Sequence, residues 1–132
     1  IKFDKKLYAI LIRKGFTKPG LTFFTPNEFA LQIGFWDYDK GKKLKAHIHV
    51  ENLRTVERTQ ELIYVLCGKV KVFLYDEEEK FLKSIIIKEG DTLFHASGGH
   101  GYEIIEDGTR VIEIKNGPFL SVEKDKRVIN TE

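Results

Sequence analysis

The sequence predicts an all-β protein, either a double-sheet sandwich or a closed barrel. Three observations point there. The chain is a series of short apolar runs broken by turn residues. Several of those runs alternate apolar and polar residues, the period-2 pattern of a half-buried strand. No window carries a long helical period. With 132 residues the chain is the size of one domain, so a single domain over 1–132 is expected.

The elements follow in order. Residues 1–28 hold either strands or one short helix, and the pattern does not separate the two. "FALQIGFWDY" (29–38) is aromatic and β-branched and ends at "DKGKK", so it reads as the first strand of a barrel core spanning about 29–116. "LKAHIHV" (44–50) alternates and predicts a second strand. "ENLRTVERTQ" (51–60) is poor in apolar residues and predicts a loop. "ELIYVLCG" (61–68) and "KVKVFLYD" (69–76) flank Gly68 as consecutive strands; in the latter Val70, Val72 and Leu74 alternate with Lys69, Lys71 and Phe73. "FLKSIIIKEGD" (81–91) is a strand running into a turn at Gly90. "TLFHA" (92–96), "GYEII" (101–105) and "TRVIEIK" (109–115) complete the set, with "SGG" and "EDG" as turns. Residues 117–132 form a C-terminal tail. About eight or nine strands at this spacing fit a sandwich or barrel.

Composition narrows the function classes. Hydrophobic residues make up 42% and charged residues 32%, the balance of a soluble globular protein. The formal charge of +2 is too weak to nominate nucleic acid or an anionic membrane as the main partner. A small-molecule substrate is the expected partner. Cys67 is the single cysteine, so no disulfide forms within the chain. That suits a reducing, cytoplasmic setting, with Cys67 read as a small buried hydrophobe. The opening apolar stretch is too short for a secretory signal, and no run approaches a membrane helix. The chain holds no methionine, so its N-terminus is read as provisional.

The histidines carry the chemistry. His47 and His49 are two apart on a predicted strand, so both imidazoles share a face and can share one metal ion. Glu61 opens the next strand, either as a solvated end or as an inward ligand. His100 follows a double glycine, where a tight turn can aim its ring inward. Alternation then sends Tyr102 and Ile104 inward too, with Tyr102 either a barrel-wall aromatic or a proton donor. His95, one position before "ASGG", reads as a rim histidine or as an acid or base beside the metal. Gln32 is a candidate polar contact in the interior, while Phe35, Trp36 and Tyr38 read as core or interface. Lys115 is solvated or reaches a substrate carboxylate or phosphate. Glu103 and Glu113 alternate with apolar neighbours and are expected to face outward.

These residues resemble the cupin superfamily, whose first motif is G-x5-H-x-H-x(3,4)-E-x6-G. Here Gly41 is followed by five residues, then His47, Ile48 and His49; Glu61 is followed by six residues and Gly68. Eleven residues separate His49 from Glu61, longer than the motif, as an insertion in the polar loop 50–60 explains. The second motif is G-x5-P-x-G-x2-H-x3-N. Gly90 and Gly98 fit, Ala96 replaces the proline, His100 arrives one residue early, and the closing asparagine is absent. The end of the chain, with Gly99, His100, Gly101, Glu113, Lys115, Gly117, Pro118, Asp125 and Lys126, is similar to small single-domain cupins of the WbuC type, associated with surface-polysaccharide and sugar-nucleotide pathways.

The resemblance implies a cupin double-stranded β-helix (jelly-roll barrel) and a homodimer. It implies one divalent transition metal (Fe, Mn, Ni, Co or Zn) held by His47, His49, Glu61 and His100. It also implies a metal-dependent enzyme, isomerase- or epimerase-like, on a small sugar or sugar-nucleotide substrate, with His95 or Tyr102 moving the proton and Gln32 or Lys115 contacting substrate. A non-haem iron dioxygenase and a carbohydrate-binding module without turnover are the alternatives.

Overall fold

A computed structural model describes residues 1–130. Among the described residues it is almost entirely β: eleven strands and one short helix. No helix is long and apolar enough to cross a membrane. The chain divides into two compact units, Ile1–Phe16 with Thr59–Glu132, and Thr17–Arg58.

The first unit contains two antiparallel sheets. Four strands run in the order β11 (Arg110–Lys115), β6 (Glu61–Cys67), β9 (Thr92–His95) and β3 (Ala9–Ile12). Three run in the order β10 (Gly99–Ile104), β7 (Lys69–Tyr75) and β8 (Phe81–Lys88). A two-stranded ribbon, β1 (Lys2–Phe3) with β2 (Lys6–Leu7), precedes them, so the opening segment forms strands. The alternation read in the sequence is the alternation observed: Val70, Val72 and Leu74 of β7 are buried, and so are Ile63 and Val65 of β6. These side chains share one core with Ala9, Ile87 and Leu93, drawn from both sheets, so the sheets face each other across it. Burying each large aliphatic side chain stabilises the fold by about 1.5–3 kcal/mol.

One buried charge ties the unit together. Asp91 follows Gly90 at the β8–β9 corner and is 1% exposed. Its carboxylate accepts from the Arg13 guanidinium at 2.6 Å and from the backbone N–H groups of Lys14 at 3.1 Å and Lys88 at 3.0 Å. Burial alone would raise its pKa, but these donors hold it below the usual carboxylate value. Asp91 thus pins the end of β3 to the β8–β9 corner.

The second unit is built on the hairpin of β4 (Gly20–Phe23) and β5 (Gly34–Asp37). Only the last part of the predicted strand 29–38 is therefore a strand. Gln32 explains why. Its amide donates to the carbonyls of Pro26, Asn27 and Phe29, and its side-chain oxygen accepts from the Thr25 hydroxyl. These bonds satisfy the loop carbonyls and hold 25–33 as a folded connection. Gln32 is exposed and acts here as a loop brace, not an interior contact. Trp36 and Tyr38 are exposed as well.

The strand expected over 44–50 is not formed. Residues 42–57 carry no regular structure, and Ile48 and Val50 stand in solvent. Alternation supplies a face, but a strand also needs a partner's N–H and C=O groups, and no ladder pairs this segment. The loop expected over 51–60 is observed as irregular chain. In the C-terminal tail Val122–Asp125 forms a single helical turn, α1, capped by the Ser121 hydroxyl. Cys67 is half-buried rather than core: its thiol reaches the Gly108 carbonyl at 3.2 Å and receives the Arg110 Nε–H at 3.3 Å.

Candidate metal and proton-transfer site

Strand register builds the site inside the first unit. Glu61 on β6 is the cross-strand partner of His95 on β9, and both share the inner face with Ile63 and Leu93. In the facing sheet, His100 pairs with Leu74 and Tyr102 with Val72, so both leave β10 on its inner face. The inner faces of two sheets therefore deliver four functional side chains to one end of the core. The turn between β9 and β10 makes this possible. Gly98 has φ +71, and a Cβ there would run into the Tyr75 carbonyl and the Tyr8 ring, so only glycine fits.

The geometry is tight. The Tyr102 hydroxyl donates to Glu61 Oε1 at 2.7 Å and lies 2.8 Å from His95 Nε2. His100 Nε2 is 3.4 Å from the same carboxylate oxygen. The rings of His95 and His100 stack with centroids 3.9 Å apart and planes 20° apart. His95 is 4% exposed.

Electrostatics fix the protonation states. Burial drives the His95 pKa down to about 3, with His100 nearby adding to the fall, so His95 is neutral. Burial alone would raise Glu61, but the hydrogen bonds from His100 and Tyr102 outweigh it and hold the carboxyl down to about 2. Burial, then the hydrogen bond to Glu61, pushes the Tyr102 hydroxyl up. Tyr102 has one proton and gives it to the ionised Glu61, so the bond with His95 is made by the imidazole Nε2–H. The order is His95 N–H to Tyr102 oxygen, then Tyr102 O–H to Glu61.

Glu61, His95 and His100 also offer one ligand atom each, all within 4.8 Å of one another. Donors bonded to one ion at about 2.0–2.2 Å lie at most about 4.4 Å apart, so the spacing fits a small inward adjustment. The donor chemistry, two imidazoles and a carboxylate, fits a transition metal. Ring orientation adds a condition. Imidazole lone pairs lie in the ring plane, and planes 20° apart send them along nearly parallel lines. For both rings to face one ion, the less buried His100 must turn out of the stack, and His95 must present a nitrogen without its proton.

The sequence candidates divide accordingly. Glu61, His100, His95 and Tyr102 are brought together. His95 is buried in the cluster rather than on a rim. Its signal was available: it has the same strand parity as Leu93. His47 and His49 lie in the second unit on irregular, exposed chain, with rings 4.9 Å apart edge to face. His47 Nδ1 meets the Lys45 carbonyl at 3.0 Å. Neither belongs to the metal-capable cluster found among the described residues.

Lys115 is the cross-strand partner of Glu61 on β11 and pairs with Glu113 at 3.1 Å. Glu113 is the partner of buried Ile63, so it lies on the inner face of its strand, not the outer one. It is exposed because β11 is the sheet edge. Glu103 is exposed opposite Lys71, as alternation predicts.

Comparisons with family models, with curated proteins and with solved structures each return no match.

Proposed function

We propose that this protein is a metal-binding cupin that acts on a small polar molecule of the sugar or sugar-nucleotide type, with Glu61, His95 and His100 as metal ligands. The observation that carries the reading is the convergence of these three donors at one end of the core, between facing sheets, with Tyr102 bonded to two of them. A bound ion would supply Lewis-acid polarisation of a carbonyl or enediolate oxygen. The chain's own groups supply the rest. The Tyr102 hydroxyl, hydrogen-bonded to Glu61 and next to His95, is the group placed to move a proton, which an isomerisation or epimerisation requires.

Elemental analysis of protein purified without chelators or a nickel column tests the reading. About one ion per chain is expected, lost in Glu61→Gln and His100→Ala. Metal-free protein that stays metal-free on reconstitution would overturn it. Metal content after His47→Ala separates the two sets of histidines: loss assigns His47 as a ligand, and full retention leaves the ion to Glu61, His95 and His100.

A second reading has its own support. Two histidines and one carboxylate are the donor set of non-haem iron oxygenases. Oxygen uptake by the Fe(II)-loaded protein with a thiol or diketone substrate would favour it over isomerisation.

The homodimer belongs to the same proposal. Tyr64, Leu66, Ile112 and Ile114 are all exposed on the outer face of β6 and β11, where Tyr64 and Ile112 are cross-strand partners. Light scattering in solution tests it.

A further inference from the structure

We propose that Lys115 is the built-in counter-ion of the Glu61–His95–His100 site: its ammonium group occupies the neighbouring carboxylates when no ion is bound and lowers the affinity for a divalent cation. The inference rests on the metal reading above and adds a residue that sets metal affinity.

The placement comes from the sheet edges. β11 ends one sheet and β10 ends the other. Glu61 of the first sheet bonds Tyr102 of the second, so the site bridges the two sheets beside these edge strands. On the β11 side the inner face presents Glu113 and Lys115, in register with Ile63 and Glu61. Lys115 Nζ is 3.1 Å from Glu113 Oε1. Its ammonium is held above the usual lysine value by Glu113 first, with Glu61 and Asp125 adding to the pull, so it stays charged. Two carboxylates, Glu61 as its cross-strand partner and Glu113 as its ion-pair partner, therefore face one lysine.

This balance argues against Lys115 as a free anion hook for substrate phosphate. The lysine is already outnumbered, and an incoming anion would meet uncompensated negative charge. A divalent cation meets the opposite situation. It takes the Glu61 carboxylate and is repelled by the Lys115 ammonium. Lys115 sits on a long flexible stem and is about half exposed, so its ammonium can move into water when the ion arrives. The Glu113 pair lies on the same strand and in solvent, where such pairs hold weakly. Displacing it is therefore easy.

The test is isothermal titration calorimetry of metal-free protein with Zn²⁺ and with Mn²⁺. Lys115→Met should bind about tenfold more tightly than wild type, because a like charge beside the site has gone. The difference should shrink as salt is raised, since screening weakens that repulsion. Lys115→Arg, which keeps the charge, should match wild type. Lys88→Met removes one lysine from the facing sheet, at the end away from the site, where Lys88 pairs with Lys69, and should also match wild type. Wild-type metal binding with an unchanged or weaker affinity in Lys115→Met overturns the counter-ion role and leaves the metal reading standing. Tightening by Lys88→Met equal to that by Lys115→Met also overturns it, because net charge would then explain the effect. No binding by wild type or by Lys115→Met overturns both.

Discussion

Two stretches of this chain carry paired histidines, and they are physically unlike. His95 and His100 stand on hydrogen-bonded strands whose register fixes which way each ring points. One is fully buried, and both share a carboxylate and a tyrosine as neighbours. His47 and His49 stand on exposed chain without a ladder, and their rings touch mainly each other. The spacing His-x-His made the exposed pair the more conspicuous in sequence. Burial and cross-sheet contact are what move a proton affinity, and His95 has both.

Acid gives the largest expected contrast. The folded protein keeps His95 neutral down to about pH 3, whereas the unfolded chain takes up that proton near 6.5. The unfolded state then binds more protons, so stability is full above pH 6.5 and is lost as pH falls toward 3. The loss is on the order of 5 kcal/mol. Glu61, depressed from 4.5 to about 2, extends the decline through the lower range. Urea midpoints across pH 7 to 3 measure it. In His95→Gln the portion between 6.5 and 4.5 should vanish.

The frame beneath the buried pair is the next way to break the comparison. Asp91→Ala removes the carboxylate partner of Arg13, leaves that guanidinium the Ile86 carbonyl, and strands two backbone donors. A cost of about 3 kcal/mol is expected in urea unfolding. A cost under about 0.5 kcal/mol would show that the β8–β9 corner does not depend on this carboxylate. His95→Ala comes next, at about 2 kcal/mol, from the cavity left by a buried ring and the partner lost by Tyr102. The smallest effect belongs to His47→Ala and His49→Ala, each within about 0.5 kcal/mol of wild type. A large loss from either would show that the exposed pair is tied down.

Where the sequence read well, one strand's own residues carried the information. Val70, Val72 and Leu74 announced a half-buried strand, and β7 buries those three. The runs around Gly68 and Gly90 became β6 to β9 within a few residues of their expected limits. It read poorly where the outcome depended on a partner. "LKAHIHV" alternates as well as "KVKVFLY" does, yet only the second has strands on both sides. Glu113 was given the wrong face because alternation names two faces without saying which one the core lies behind.

The sequence by itself determined that the chain is β-rich, where its central strands run, and that Glu61, His95, His100 and Tyr102 are chemically competent. These follow from side-chain type and a period of two, both local properties. Only the tertiary structure decided that Glu61 and His95 of one sheet meet His100 and Tyr102 of the other, and that Lys115 stands beside them at the edge. Pairing register and the packing of two sheets on a common core set those distances. Both depend on residues far apart in the chain, so no single window of sequence contains them.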